Sequence, residues 1–146
     1  MSKSNIEWTD ETKNIGIGCT KVSEGCKNCY AIKESWIHSF HPNEKINSRY
    51  AGTVQKNKNG TLNWTGKVNI DLHFFAQVLR QKKGRKIFIN SMTDLFHENV
   101  SFDTIHTIFI IMALAPQHTF QIVTKRANRL FQYYQQYKNG LGPIEE

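Results

Sequence analysis

No apolar run in this sequence approaches the roughly 20 residues that a helix needs to cross a bilayer. The longest, residues 108–115, is far too short. Residues 1–4 lead into a polar stretch with no signal-peptide core. These absences predict a chain without a membrane span, held in a reducing cytosol. Cysteine is scarce, with three residues in 146. An odd count without a secretory signal fits a disulfide framework badly. No RNP, helix-turn-helix or finger signature is present to support nucleic-acid binding by a familiar module. Acidic residues are nearly missing from the middle of the chain. Residues 51–90 hold eight Lys or Arg against Asp71 alone, whereas the flanking segments are close to balanced. The net charge of +7 therefore arises in one region. Lys82, Lys83, Arg85 and Lys86 are its densest part, and such a patch attracts nucleic acid or an acidic nucleoprotein, or simply solubilises the surface.

What cysteine there is lies on one loop. Cys19, Cys26 and Cys29 follow a Cys-x6-Cys-x2-Cys spacing. Three thiolates on a short loop match three corners of a cubic iron-sulfur cluster and leave its fourth iron open. A structural zinc site is the alternative, its fourth ligand taken from His38, His41, His73, His97, His106 or His118. Three reduced thiols without metal are the third reading. Gly18 and Gly25 permit tight turns beside such a centre.

The length of 146 residues suits one domain, residues 1–146. Residues 14–18 read as a first strand ending at Cys19. A helix is predicted over residues 30–40, capped by Asn28, with Ala31, Trp36 and Phe40 on its apolar face. Residues 43–70 read as an irregular insertion with a hairpin turning at Asn59-Gly60. Asp71 is the predicted cap of a helix over 72–81. Residues 86–90 form the strongest strand signal. Ser101 caps a helix to about Leu114, 119–124 is a strand, and 127–137 is a helix whose stripe of Leu130, Phe131, Tyr134 and Tyr137 reads as core. Alternation of this kind implies an α/β fold with parallel strands. Chemistry then gathers beyond the C-terminal strand ends. The cysteine loop, residues 91–98, and Thr124-Lys125-Arg126 all fall there.

Several motifs taken together resemble a phage-associated three-cysteine-motif family, itself similar to a divergent branch of the radical S-adenosylmethionine (SAM) enzymes. They are Glu7-Trp8-Thr9, the cysteine loop through Tyr30-Ala31, residues 64–68, residues 90–98 and residues 119–126. The resemblance implies a 4Fe-4S cluster on Cys19, Cys26 and Cys29. It implies SAM on the open iron, cleaved by one electron to a 5′-deoxyadenosyl radical. Ser91, Met92, Thr93 and Asp94 would lie where the SAM amino group is held, and Lys125 and Arg126 would meet its carboxylate or a substrate phosphate. The six-residue gap between the first cysteines exceeds the three usual in radical SAM enzymes. Tyr30 follows the last cysteine where an aromatic more often precedes it. Three strand-helix units are legible where such a core uses about six. The expected architecture is thus a half β/α barrel, shortened or completed by a homodimer through open strand edges. A second function follows from the same features: a truncated, non-catalytic phage protein that inhibits a host nucleoprotein, such as a CRISPR effector, through its basic region. A zinc-stabilised binding module is the third. If phage-encoded, the protein works in the bacterial host cytosol.

Overall fold

The computed structural model describes residues 6–138. The reading of residues 1–4 lies outside the described residues. In chain order the elements are β1 (Glu11–Thr12), β2 (Gly16–Ile17), α1 (Tyr30–His38), α2 (Glu44–Tyr50), β3 (Val54–Lys56) and β4 (Leu62–Trp64). They continue with β5 (Asn69–Ile70), α3 (Leu72–Ala76), β6 (Lys86–Phe88), α4 (Phe102–Ala113), β7 (Thr119–Gln121) and α5 (Ala127–Tyr137).

The fold is mixed α/β, built on a three-stranded parallel sheet in the order β1-β6-β7. Its register aligns Thr12, Phe88 and Gln121 in one row. The pairing of β1 and β6 extends beyond the strands themselves. Lys13 N–H donates to Phe88 O, Ile15 N–H to Ile89 O and Gly18 N–H to Met92 O. A parallel bridge joins Gly18 to Thr93. The first parallel strand therefore starts earlier than the predicted 14–18. Glu11 and Lys13 are only 3% exposed, and Lys13 Nζ stands 3.9 Å from Glu11 Oε1. Burial pushes the Lys13 ammonium below its usual range, against the pull of Glu11. Charged residues at core-facing positions hide this strand from an apolarity pattern. Residues 16–17 instead form β2, antiparallel to β5.

The insertion is more ordered than its sequence suggests. α2 is capped by Asn43, whose side chain accepts from Lys45 N–H. The hairpin β3–β4 forms in the expected place, with Gly60 at a φ of 84°. Asp71 caps α3 by accepting from Phe74 N–H. The predicted 72–81 helix tightens to a 3-10 turn over Gln77–Arg80. There the Val78 carbonyl accepts from Gln81 N–H and contacts the His118 ring nitrogen at 3.2 Å.

The main core packs Ile15, Phe75, Val78, Ile87, Ile89, Leu95, Phe96, Ile105 and Ile108. Ser101 caps α4, accepting from Thr104 N–H. A smaller cluster of Ile17, Ala31, Ile32, Trp64 and Met92 fastens α1 and the hairpin beside the cysteine loop. Two helix faces differ from expectation. On α5 the buried residue is Tyr133, stacked on Phe109 at 5.3 Å, while Leu130, Phe131 and Tyr134 face solvent. That helix carries aromatic residues on two faces, so periodicity alone did not choose between them. On α1 the buried side is Ala31, Ile32 and Ser35, whereas Phe40 is exposed beside Trp36. Asn28 is not its cap. Cys29 holds the N-cap position, with no side-chain cap hydrogen bond.

Ile108→Ala, at a fully buried α4 position, is expected to lower stability by about 2–5 kcal/mol. Leu114→Ala, on the exposed side, is expected to stay within about 0.5 kcal/mol. Urea unfolding of both variants measures the contrast; equal losses would contradict this core assignment.

Candidate functional site

The three chemically dense loops meet at the C-terminal end of the sheet. Cys19, Cys26 and Cys29 line one cavity of about 440 Å³, with Ser91, Thr93, Asp94, Lys125 and Arg126 on the same wall. Ile6, Val22, Phe88, Val123 and Tyr30 supply much of the remainder. Met92, predicted with this group, points instead into the smaller core cluster. Lys82, Lys83 and Lys86 are exposed and Arg85 is half-buried. They precede or open β6, at the opposite end of the strand from the cavity.

Local sequence explains the loop. Gly18 has a φ of +109°, and a Cβ there would meet Lys67 O at 2.1 Å. Only glycine fits where the strand gives way to Cys19. Residues 24–26 form a 3-10 turn, and Cys29 is the N-cap residue of α1. A Cβ on Gly25 would lie 2.9 Å from Lys125 Nζ. Its absence lets that ammonium reach across, donating to Ser23 Oγ at 3.2 Å and Cys26 Sγ at 3.5 Å.

Asp94 joins the loops from β6 and β7. Its Oδ1 accepts from Thr124 Oγ1 at 2.7 Å and Phe96 N–H at 3.0 Å. Its Oδ2 accepts from Lys125 N–H at 3.0 Å and Arg126 Nη1 at 3.1 Å. Arg126, 7% exposed, also donates through Nε to Glu98 Oε1 and through Nη2 to Thr20 O. Its Nη1 stands 3.9 Å from Cys19 Sγ. These two charged side chains thus hold one another and the cysteine loop. Thr93 Oγ1 donates to Gly18 O at 2.6 Å, and Ser91 donates through N–H and Oγ to Asn14 Oδ1. Much of the polar wall predicted for ligand binding is therefore engaged in holding the site together.

The thiols differ. Burial pushes Cys19 up, opposed by Arg126. Cys26 is lowered to about 7, chiefly by the Val22 backbone and also by Ser23 and Lys125. His97 was legible as one of six possible zinc ligands and as part of a polar motif. It is 1% exposed, with Nδ1 accepting from Asn99 N–H and Nε2 at 2.8 Å from Thr20 Oγ1. Burial, then Arg126, lowers its pKa, so the ring braces the loop in its neutral form. Among the described residues no histidine stands on the cavity wall. No three Cys, His, Asp or Glu side chains among them are gathered as they would be around one ion. Glu98 and Asn90 are further site residues that sequence reasoning left without a role. Strand parity places Asn90 on the same side of β6 as Phe88.

With this geometry in view, the chain belongs to the family described as Protein of unknown function (DUF5131), whose model matches residues 3–143. No curated protein and no solved structure matches it.

In the metal-free, reduced chain, alkylation by iodoacetamide follows the thiolate fraction, which grows as pH rises through each pKa. Cys26 is expected to react with a midpoint near pH 7, and Cys19 only at a pH above the ordinary thiol range. Peptide mass mapping across a pH series checks this; faster labelling of Cys19 at neutral pH would contradict it.

Proposed function

We propose that this protein holds a 4Fe-4S cluster on Cys19, Cys26 and Cys29 and seats SAM in the adjoining cavity, as a partial β/α barrel of radical-SAM type. The observation that carries the reading is the convergence of all three thiols with Lys125 and Arg126 on one largely apolar cavity beyond the parallel strand ends. The donor set fits the group. Three soft sulfur ligands favour iron-sulfur or zinc, and the cavity wall offers no histidine as a fourth zinc ligand. Bound here, the cluster would supply the electron for reductive cleavage of SAM.

The chain's own residues have separable roles. The cysteines are the ligands. Arg126 and Lys125 place positive charge beside Cys19 and Cys26, which favours their thiolate forms. Asp94 positions Arg126 and the Lys125 backbone rather than contacting a ligand, since both its oxygens already accept twice. Phe88, Val22 and Val123 give the cavity part of its apolar lining. Phage association and work in a host cytosol belong to this same proposal. So does a second copy pairing at the outer edge of β7, the terminal strand of the sheet order.

A second reading draws on a different observation. The exposed cluster of Lys82, Lys83 and Lys86, with Arg85, lies at the other end of β6 from the cysteine cavity. A surface separate from the cavity suits an acidic nucleoprotein partner, with inhibition of a CRISPR effector as one form.

Anaerobic reconstitution with iron and sulfide is expected to give a brown protein with about four irons per chain. Cys→Ser at any of the three positions should remove most of that iron. Stoichiometric zinc with no iron uptake would overturn the cluster and favour a zinc-stabilised module. For the second reading, reversing the charges of Lys82, Lys83, Arg85 and Lys86 is expected to weaken binding to single-stranded RNA at least tenfold at low salt. Unchanged binding would remove those residues from any interface with nucleic acid.

A further inference from the structure

Among the described residues, the wall of the cysteine cavity contains one buried polar atom without a hydrogen-bond partner. Asn90 is 4% exposed and lies just beyond β6, on the wall between Phe88 and Ser91. Its Nδ2 donates to Val123 O at 2.8 Å and lies 3.5 Å from Thr93 O. Two carbonyls therefore hold the amide nitrogen and fix the orientation of the side chain. Turning the amide over would set oxygen against oxygen. Its Oδ1 is left buried with no hydrogen-bond partner, the one such atom among the described residues of this wall. A buried amide oxygen without a donor is unfavourable, and native structures seldom retain one without a reason.

The neighbouring polar groups sharpen the contrast. Asp94 accepts four hydrogen bonds, Thr93 donates to Gly18 O, and Ser91 donates to Asn14. The anchored amide of Asn90 is directed by the same β7 loop yet keeps its acceptor in reserve. We propose that Asn90 is the specificity-determining acceptor of this cavity, taking an N–H donor from an amino-bearing ligand with a largely apolar or aromatic body. The inference rests on the SAM reading for the identity of the ligand, since SAM carries two amino groups, but its geometry is independent of the metal. A ligand whose amine is replaced by C–H leaves Oδ1 unpaired and binds less well.

The test uses the full chain after iron and sulfide have been counted. Equilibrium dialysis with labelled SAM compares the parent protein with Asn90→Ala and Asn90→Asp, each first checked for an unchanged iron content and a cooperative thermal transition. Asn90→Asp keeps an acceptor but replaces the anchoring donor with a carboxylate oxygen opposite Val123 O and Thr93 O. The expected result is a five- to thirtyfold loss of affinity for Asn90→Ala and a clearly smaller one for Asn90→Asp. Affinity within twofold of the parent for Asn90→Ala overturns the proposal while leaving the cluster intact. If the parent takes up no iron, the cluster reading fails on its own, and the matched pair adenosine and purine riboside, differing in one amino group, probes the metal-free cavity by NMR. A preference for adenosine that disappears in Asn90→Ala supports Asn90; equal or absent binding of the two nucleosides overturns it.

Discussion

The site depends on one carboxylate. Asp94 gathers donors from its own loop, from Thr124 and Lys125, and from the Arg126 guanidinium. Arg126 in turn grips Thr20 O and lies beside Cys19. Three loops far apart in sequence are thereby held at one sheet end. A buried pair of this kind gains little net stability over an apolar substitute, but removal of one member strands the other charge. Its value here is geometric: it fixes where the sulfur-bearing loop stands relative to the strands.

A site built this way separates support from recognition. The charged residues that look most like ligand contacts are already engaged with one another. What lines the cavity outside that network is softer chemistry: three thiols, an exposed ammonium, a tyrosine and an amide. Lys125 reaches Cys26 because Gly25 offers no side chain in between. The strand-to-loop turn at Gly18 works on the same economy of space, with the Lys67 carbonyl where a Cβ would be. Small residues and saturated charges together leave a cavity whose reactive groups are sulfur.

The other end of the sheet is governed by different physics. Exposed lysines before β6 keep that surface hydrated and strongly positive. The two regions share β6 but not a face or a chemistry, so a ligand at one need not touch the other. Between them, the main core is closed by α3, α4 and the inward side of α5 through Tyr133.

The sequence by itself determined the cysteine spacing, the alternation that sends the dense loops to one sheet end, the Asp71 and Ser101 caps, and the hairpin at Asn59-Gly60. Each is local: a capping oxygen or a turn glycine acts on residues within a few positions. Only the tertiary structure decided the rest. It revealed β1, because Glu11 and Lys13 carry charge into the core and mask the strand. It chose Tyr133 over Leu130, Phe131 and Tyr134, because the aromatic pattern of α5 serves two faces and α4 occupies only one. It assigned Asp94 to support and left Asn90 with an open acceptor, since hydrogen-bond saturation is a sum over partners distant in sequence. No single stretch of chain contains that sum.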